Sequence, residues 1–313
     1  MKTAFVFPGQ GAQRVGMGKE LCEQFDISRT VFAEADDALG ENFQHLIFNG
    51  PAEDLTMTAN TQPAILTVSI AALRAFQEVC NAKPDFVAGH SLGEFSALVA
   101  SGAMEFSDAV RTTRARGTFM QEAVPAGKGA MAAVMKVDED VIRAACEQAS
   151  QGEVISPANF NSPEQVVISG DAAAVSRAAD ILKEQGGRVI PLRVSAPFHC
   201  QLMNLAAEKL DAFLTDITFG IPVPPVVTNV EAAPNLDASK IQKLMVQQVT
   251  SPVRWTASVR YMIGEGVTTF IEFGPGNVLA GLISKIDSSV ETISVSSPDG
   301  IEKAKEKLEK NQL

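Results

Sequence analysis

The sequence has few cysteines and few histidines, and neither kind is grouped. Its four cysteines, Cys22, Cys80, Cys146 and Cys200, form no CxxC pair, and its three histidines lie far apart. That spacing argues against a structural zinc site. Scattered single cysteines fit a reducing compartment, so a cytoplasmic location is expected. There is no run of about 20 apolar residues, and no membrane span is expected. The opening MKTAFVFPGQG carries one lysine and a short apolar run broken by Pro8 and Gly9, without the long apolar core of a signal peptide. Low-complexity tracts, charge blocks and repeats of solenoid period are also missing. Basic charge is in deficit. The net charge of −11 argues against nucleic acid as a partner, and it requires any bound anion to meet a local cation.

What is present is the composition of an ordinary globular chain: 313 residues, 46% hydrophobic and 20% charged. A chain of this length can bury roughly 75% of its unfolded surface and needs neither disulfides nor metals to hold together. Short apolar runs at Thr3–Phe7, Asp85–Gly89, Pro225–Val230 and Thr268–Phe273 read as strands. Helical patterns separate them, among them a long, largely buried helix over Thr61–Val79 and another over Leu92–Ser101 with Gly102 as its C-terminal cap. A helix is expected to start near Ser107-Asp108, a good capping pair, and to run past Arg116. Alternating strands and helices imply an α/β fold with a mostly parallel sheet.

The segment 129–194 has a grammar of its own. Strands are expected at Ala130–Val137, Val154–Asn159, Gln165–Ser169 and Arg188–Val194, with helices at Asp138–Ser150 and Ala172–Glu184. The order βαββαβ is that of a ferredoxin-like unit. The expected organisation is an α/β-hydrolase-like large domain, 1–127 and 195–313, with a small ferredoxin-like domain, 128–194, inserted into it.

Gly89-His90-Ser91-Leu92-Gly93 fits G-x-S-x-G in the context that motif demands: a strand, a sharp turn, a helix. The turn is crowded, so a Cβ at 89 or 93 would strike neighbouring backbone. It thrusts the Ser91 hydroxyl out at the carboxyl end of a strand, over a helix amino terminus that favours developing negative charge. A serine hydroxyl needs a base to act as nucleophile at neutral pH. His90 adjoins Ser91 and should leave the backbone in another direction. His45, in FQHLIFNG, has an ordinary amphipathic context. His199 sits in an irregular loop after the inserted segment, beside Pro197, and is the base by elimination. No spacing identifies an acidic third member, and a backbone carbonyl could orient the imidazole instead. Gln10 lies between two glycines after the first strand. Walker A and GxGxxG readings of this region fail, leaving a plain turn or a loop whose N–H groups face an oxyanion.

GQGAQ, GHSLGE, the arginine in RARGTFMQEAVP, NFNSPEQVVISG, APFHC, QQVTSPVRW and EFGPGNVL follow one another along the whole chain. Together they resemble the malonyl-CoA:acyl carrier protein transacylases. The resemblance implies that Ser91 is acylated, that His199 is the base, and that the backbone N–H groups of Gln10 and Leu92 form the oxyanion hole. Arg116 would bind the free carboxylate of the malonyl group. Gln248 would orient His199 through its main-chain carbonyl, which explains the missing acid. Asn159 would line the cleft, and Phe198 would favour malonyl by crowding an α-methyl group. Physical chemistry supports Arg116 independently. A carboxylate in a dry cleft needs a charged partner, and arginine is the natural bidentate clamp, whereas Arg111 and Arg114 on the same helix read as surface charges. No cofactor is implied, since the coenzyme A thioester is a substrate. The implied partners are malonyl-CoA and an acidic acyl carrier protein, for which Lys285 is a candidate docking residue. A monomer is expected. A hydrolase would share Ser91 and His199, and a non-catalytic carrier-binding module would form no covalent adduct; the motifs alone exclude neither.

Overall fold

A computed structural model describes residues 2–310 apart from 126, 193 and 195. Its larger sheet has the order β10-β9-β1-β2-β7-β8. These strands are β1 (Lys2–Phe7), β2 (Phe86–Gly89), β7 (Val226–Val227), β8 (Pro234–Asn235), β9 (Val267–Phe273) and β10 (Glu291–Val295). All neighbours pair parallel except β7 with β8. The N-terminal helices are α1 (Lys19–Gln24), α2 (Asp26–Leu39), α3 (Phe43–Asn49), α4 (Ala52–Thr56) and α5 (Thr58–Val79), followed after β2 by α6 (Gly93–Ala100) and α7 (Phe106–Glu122). Helix α5 is buried without interruption from Thr61 to Leu73. It packs its Phe76 against Phe273 of β9, ring centroids 5.2 Å apart, while Phe5 of β1 meets the same Phe273 at 4.8 Å. This aromatic knot lies beneath the carboxyl ends of the central strands. There the register sets Phe7 beside Gly89, so the loops after β1 and β2 emerge side by side.

The second sheet, β4-β5-β3-β6, is antiparallel throughout. Its strands β3 (Gly129–Met135), β4 (Ile155–Ser162), β5 (Gln165–Asp171) and β6 (Arg188–Pro191) alternate with α8 (Glu139–Ser150) and α9 (Ala172–Glu184), the ferredoxin-like order and connectivity. The strand period of two divides β3 between two environments. Ala132 and Val134 join the core under α8 and α9, whereas Met131 and Ala133 join the main core. The rest of the chain supplies α10 (Asn204–Leu214), α11 (Ala238–Thr250), α12 (Trp255–Gly264), α13 (Val278–Ile286) and α14 (Pro298–Lys310). Strand β4 is laced to the segment before α12: Phe160 N–H donates to the Val253 carbonyl and Val253 N–H to that of Ala158, both at 2.9 Å.

Three expectations need correction. Helix α7 begins at Phe106 with Glu105 as its cap residue, and Ser107 and Asp108 lie inside the first turn, where Asp108 accepts from Arg111 at 2.6 Å. The strand expected over Pro225–Val230 shrinks to Val226–Val227, because the chain turns back at once, with Thr228 N–H donating to the Ala233 carbonyl. The last small-sheet strand ends at Pro191, short of Val194. Arg193 within that expected strand, and Ser195 at the expected domain boundary, lie outside the described residues.

Candidate active site

The turn between β2 and α6 is as crowded as the glycines suggested. A Cβ at Gly89 would come within 1.9 Å of the Gly93 carbonyl carbon, and one at Gly93 within 2.1 Å of the Phe7 oxygen. Ser91 itself has φ 52°, a left-handed conformation that costs a non-glycine residue roughly 1–2 kcal/mol and persists here because the surroundings hold it. Its N–H donates to Asn229 Oδ1 at 2.7 Å, and Asn229 Nδ2 donates in turn to the Gly89 carbonyl at 2.6 Å. Asn229 thus stitches the turn from both sides, using the chain reversal that shortened β7.

Ser91 Oγ lies 2.8 Å from His199 Nε2. His199 Nδ1 lies 2.8 Å from the main-chain oxygen of Gln248. A carbonyl oxygen only accepts, so Nδ1 carries the hydrogen and Nε2 presents a lone pair to the serine hydroxyl. Burial, with Arg116 nearby, pushes the His199 pKa down to about 3, so the imidazole is neutral and able to take a proton at neutral pH. His199 also has positive φ, 59°, so both members of the pair stand on strained backbone. The other two histidines have different partners, although His90 also lines the cleft. His90 turns away to Asn161 Oδ1, 2.8 Å from its Nε2, with its ring against Trp255. His45 is exposed on α3.

Arg116 is 1% exposed, an unusual state for an arginine. One terminal nitrogen donates to Gln62 Oε1 at 2.7 Å; the other donates to Gln248 Oε1 at 2.9 Å and reaches Ser91 Oγ at 3.2 Å. Burial lowers its pKa to about 10, Glu94 opposing, and the guanidinium stays charged. Arg111 and Arg114 take no part, being paired with Asp108 and Glu41 respectively. Gln10, Leu92, Asn159, Phe198, Met120 and Met131 line the same cleft as Ser91, His199 and Arg116. Lys285 does not. It lies on an exposed groove with Lys136 and Arg188, and β3 runs between, giving Met131 to the cleft and Met135 to the groove.

This arrangement can deprotonate a serine, place its oxygen beside a helix amino terminus, and hold an anion one residue's breadth from the nucleophile. The acyl transferase domain model matches residues 4–302.

The chain belongs to the acyl transferase family.

It is 50% identical to the malonyl CoA-acyl carrier protein transacylase of Bacillus subtilis (strain 168), over 97% of this chain and 96% of that protein. It is 48% identical to the protein of that name from Escherichia coli (strain K12), over 97% and 98%. Among solved structures, an acyl carrier protein S-malonyltransferase from Vibrio cholerae superposes with a TM-score of 0.96 at 45% identity, covering 97% of this chain and all of that one. A malonyl-transacylase in complex with a type II PKS acyl-carrier protein matches with a TM-score of 0.96 at 44% identity, covering 98% and 100%.

Sequence reasoning missed several residues of this acyl transferase site. Asn229 and the side chain of Gln248 are neutral amides far apart in sequence, and nothing in their local pattern distinguishes them from surface residues; Gln62 is a polar residue within the helix expected to be buried over Thr61–Val79. Glu94 left a usable signal, because a charged residue in the apolar run SLGEFSALVA sits where a helix must be buried.

If His199 is the base, His199→Ala slows both half-reactions by about 10²–10⁴-fold, the usual contribution of a positioned base. His90→Ala, which removes the link to Asn161 and the ring contact with Trp255 but no contact with the Ser91 hydroxyl, costs less. Single-turnover acylation and deacylation of both variants check this, and a larger loss at His90 would reverse the assignment.

Proposed function

We propose that this chain transfers a malonyl group from malonyl-CoA to the phosphopantetheine thiol of an acyl carrier protein through a malonyl-serine intermediate. The observation that carries this reading is a buried arginine whose donor reaches the serine oxygen within 3.2 Å. Such a group has little use for a neutral acyl chain and suits one that ends in a carboxylate.

The Ser91 hydroxyl gives its proton to His199 Nε2 as its oxygen attacks the thioester carbonyl. The tetrahedral oxyanion meets the N–H groups of Gln10 and Leu92 at the amino end of α6. Collapse expels the coenzyme A sulfur, which takes the proton from His199. The carrier thiol then surrenders its proton to His199, attacks the malonyl-serine ester, and Ser91 recovers its hydrogen. Arg116 holds the malonyl carboxylate throughout, Phe198 crowds an α-methyl group, and Asn159 closes the cleft from the small-domain side, 128–194. The cycle calls for no cofactor and is complete in one cytoplasmic monomer. Fatty-acid and polyketide synthesis both consume this product.

Intact-mass measurement after incubation with malonyl-CoA tests the reading. A malonyl adduct that disappears when a carrier thiol is added supports transfer. An adduct lost equally fast to water would mean hydrolysis, and no adduct would mean a binding module.

An acidic carrier meeting an acidic enzyme needs a basic landing site, and the groove that carries Lys136, Arg188 and Lys285 beside Asp138 and Glu164 is net positive. Lys285→Glu should raise the apparent KM for the carrier roughly two- to fivefold, the scale of an exposed ion pair, and leave that for malonyl-CoA nearly unchanged. Equal effects on both substrates would remove Lys285 from docking.

A further inference from the structure

Behind the reacting groups lies a carboxyl group that the transfer chemistry does not use. Glu94 is fully buried in the first turn of α6. Its Oε2 accepts from Gln248 Nε2 at 2.7 Å and from Asn229 N–H at 3.1 Å. Both partners lead directly to the reaction. Asn229 holds the Ser91 N–H, while Gln248 holds Arg116 with its side-chain oxygen and His199 with its main-chain oxygen. Glu94 Oε1 is buried with no hydrogen-bond partner.

Resting on the malonyl-transfer reading above, we propose that Glu94 is a positioning residue of the carboxylate clamp: it holds Arg116 through Gln248 as a carboxylate in the empty cleft, and takes up a proton when a malonyl carboxylate occupies that clamp.

Charge balance carries the proposal. Without substrate, above about pH 7, Arg116 and Glu94 are a buried cation and anion joined by one amide. Arg116, from α7, is the charged group that acts on Glu94; Gln248 from α11 and Asn229 from the loop after β7 are neutral, and no charged side chain of α5, β1 or β2 perturbs it. His199, beyond Ser91, is neutral, and its field comes from Arg116 and His90. Bringing a malonyl carboxylate to Arg116 places two anions on one cation away from water. Like charges sharing a site cannot both remain ionised cheaply, so one takes a proton. The malonyl carboxylate would touch the guanidinium itself. Glu94 touches only amides, and is therefore the group that yields. Burial already lifts its carboxyl to about 7, within reach of the solution. Oε1 can accept the proton without disturbing either hydrogen bond, because both fall on Oε2.

The test is calorimetric titration of malonyl-CoA into the Ser91→Ala protein at about pH 8, in buffers of differing ionisation enthalpy. Uptake approaching one proton per malonyl-CoA is expected, against none for acetyl-CoA, which carries the same phosphates and no carboxylate. The same titration of Ser91→Ala with Glu94→Gln should show no uptake. No uptake in the first protein, equal uptake with acetyl-CoA, or uptake surviving Glu94→Gln would each overturn the proposal. Should Glu94→Gln fail to fold, infrared difference spectra of protein labelled with ¹³C-glutamate decide: a label-sensitive band of protonated carboxyl must appear with malonyl-CoA, and its absence overturns the proposal. With wild-type enzyme, the KM for malonyl-CoA should rise about tenfold from pH 6 to pH 8 relative to that for acetyl-CoA, because the proton taken up is already bound below the Glu94 pKa of about 7 and must be drawn from solution above it; parallel profiles would overturn it. Failure of this proposal is separable from failure of the transfer reading, because the latter shows as a missing malonyl adduct on Ser91 in intact mass.

Discussion

Ser91→Ala should fold normally and form no acyl adduct. The contacts that shape the turn are made by main chain, namely the Ser91 N–H on Asn229 and the close approach of Gly93 to Phe7, and alanine keeps both. Alanine and serine suffer alike from the left-handed φ, so melting temperature should move little. Losing the hydroxyl removes the atom that touches both His199 and Arg116, and it removes the covalent route. For an enzyme with a serine nucleophile the loss in kcat is on the order of 10⁶-fold. Intact mass after malonyl-CoA exposure, beside thermal melts, checks the two halves of the expectation. A malonyl mass on the alanine variant would end the claim that Ser91 is the acceptor.

Arg116→Ala should separate substrate choice from chemistry. Malonyl-CoA and acetyl-CoA differ by one carboxylate. Stranding that carboxylate in a water-poor cleft costs about 2–5 kcal/mol, or roughly 30-fold to several thousand-fold in kcat/KM for malonyl-CoA. Acetyl-CoA brings no charge to strand, so its turnover should hold or improve. Arg116→Lys should restore malonyl activity only in part. The guanidinium spans Gln62 on one nitrogen and Gln248 on the other, and an ammonium cannot do both at once. The comparison is kcat/KM for both thioesters in all three proteins. A uniform loss would assign Arg116 to the fold, and Arg114, already engaged by Glu41 and Asn60, could not replace it.

The parts of this molecule that were legible in the sequence are those written in short periods or forbidden volumes. The central strands, the βαββαβ unit and helix Ala172–Glu184 follow from hydrophobic spacing, and the nucleophile turn follows from two glycines with no room for a Cβ. The start of α7 is not legible in its capping residues, because Ser107 and Asp108 do not cap when the chain enters the helix two to three residues earlier, with Glu105 in extended conformation. Strand β7 is shorter than its β-prone run suggests, because nothing in that run shows that Asn229 is needed at the nucleophile turn. In the site, Ser91, His199 and Arg116 could be reached by chemistry, since each residue type is rare in its setting. The amides that connect them could not, because an amide's value here lies in which way it faces, and that is decided by partners more than a hundred residues away, Ser91 and Glu94 for Gln248.

Gln248 lies near the end of α11, within the last turn, where helix carbonyls have no partner in their own helix. One of these orphans is the oxygen that holds His199. Ser91 sits at the opposite kind of terminus, the start of α6. The reacting pair is therefore set between two helix ends of opposite polarity, an electric gradient that favours a proton on the imidazole and negative charge on the substrate oxygen. That gradient is written in backbone, so no side-chain scan will find it. Alanine at position 248 would report the loss of an amide and leave the histidine's partner in place. Only a change in where α11 stops, by inserting or deleting a residue within 238–250, would draw the carbonyl away from His199.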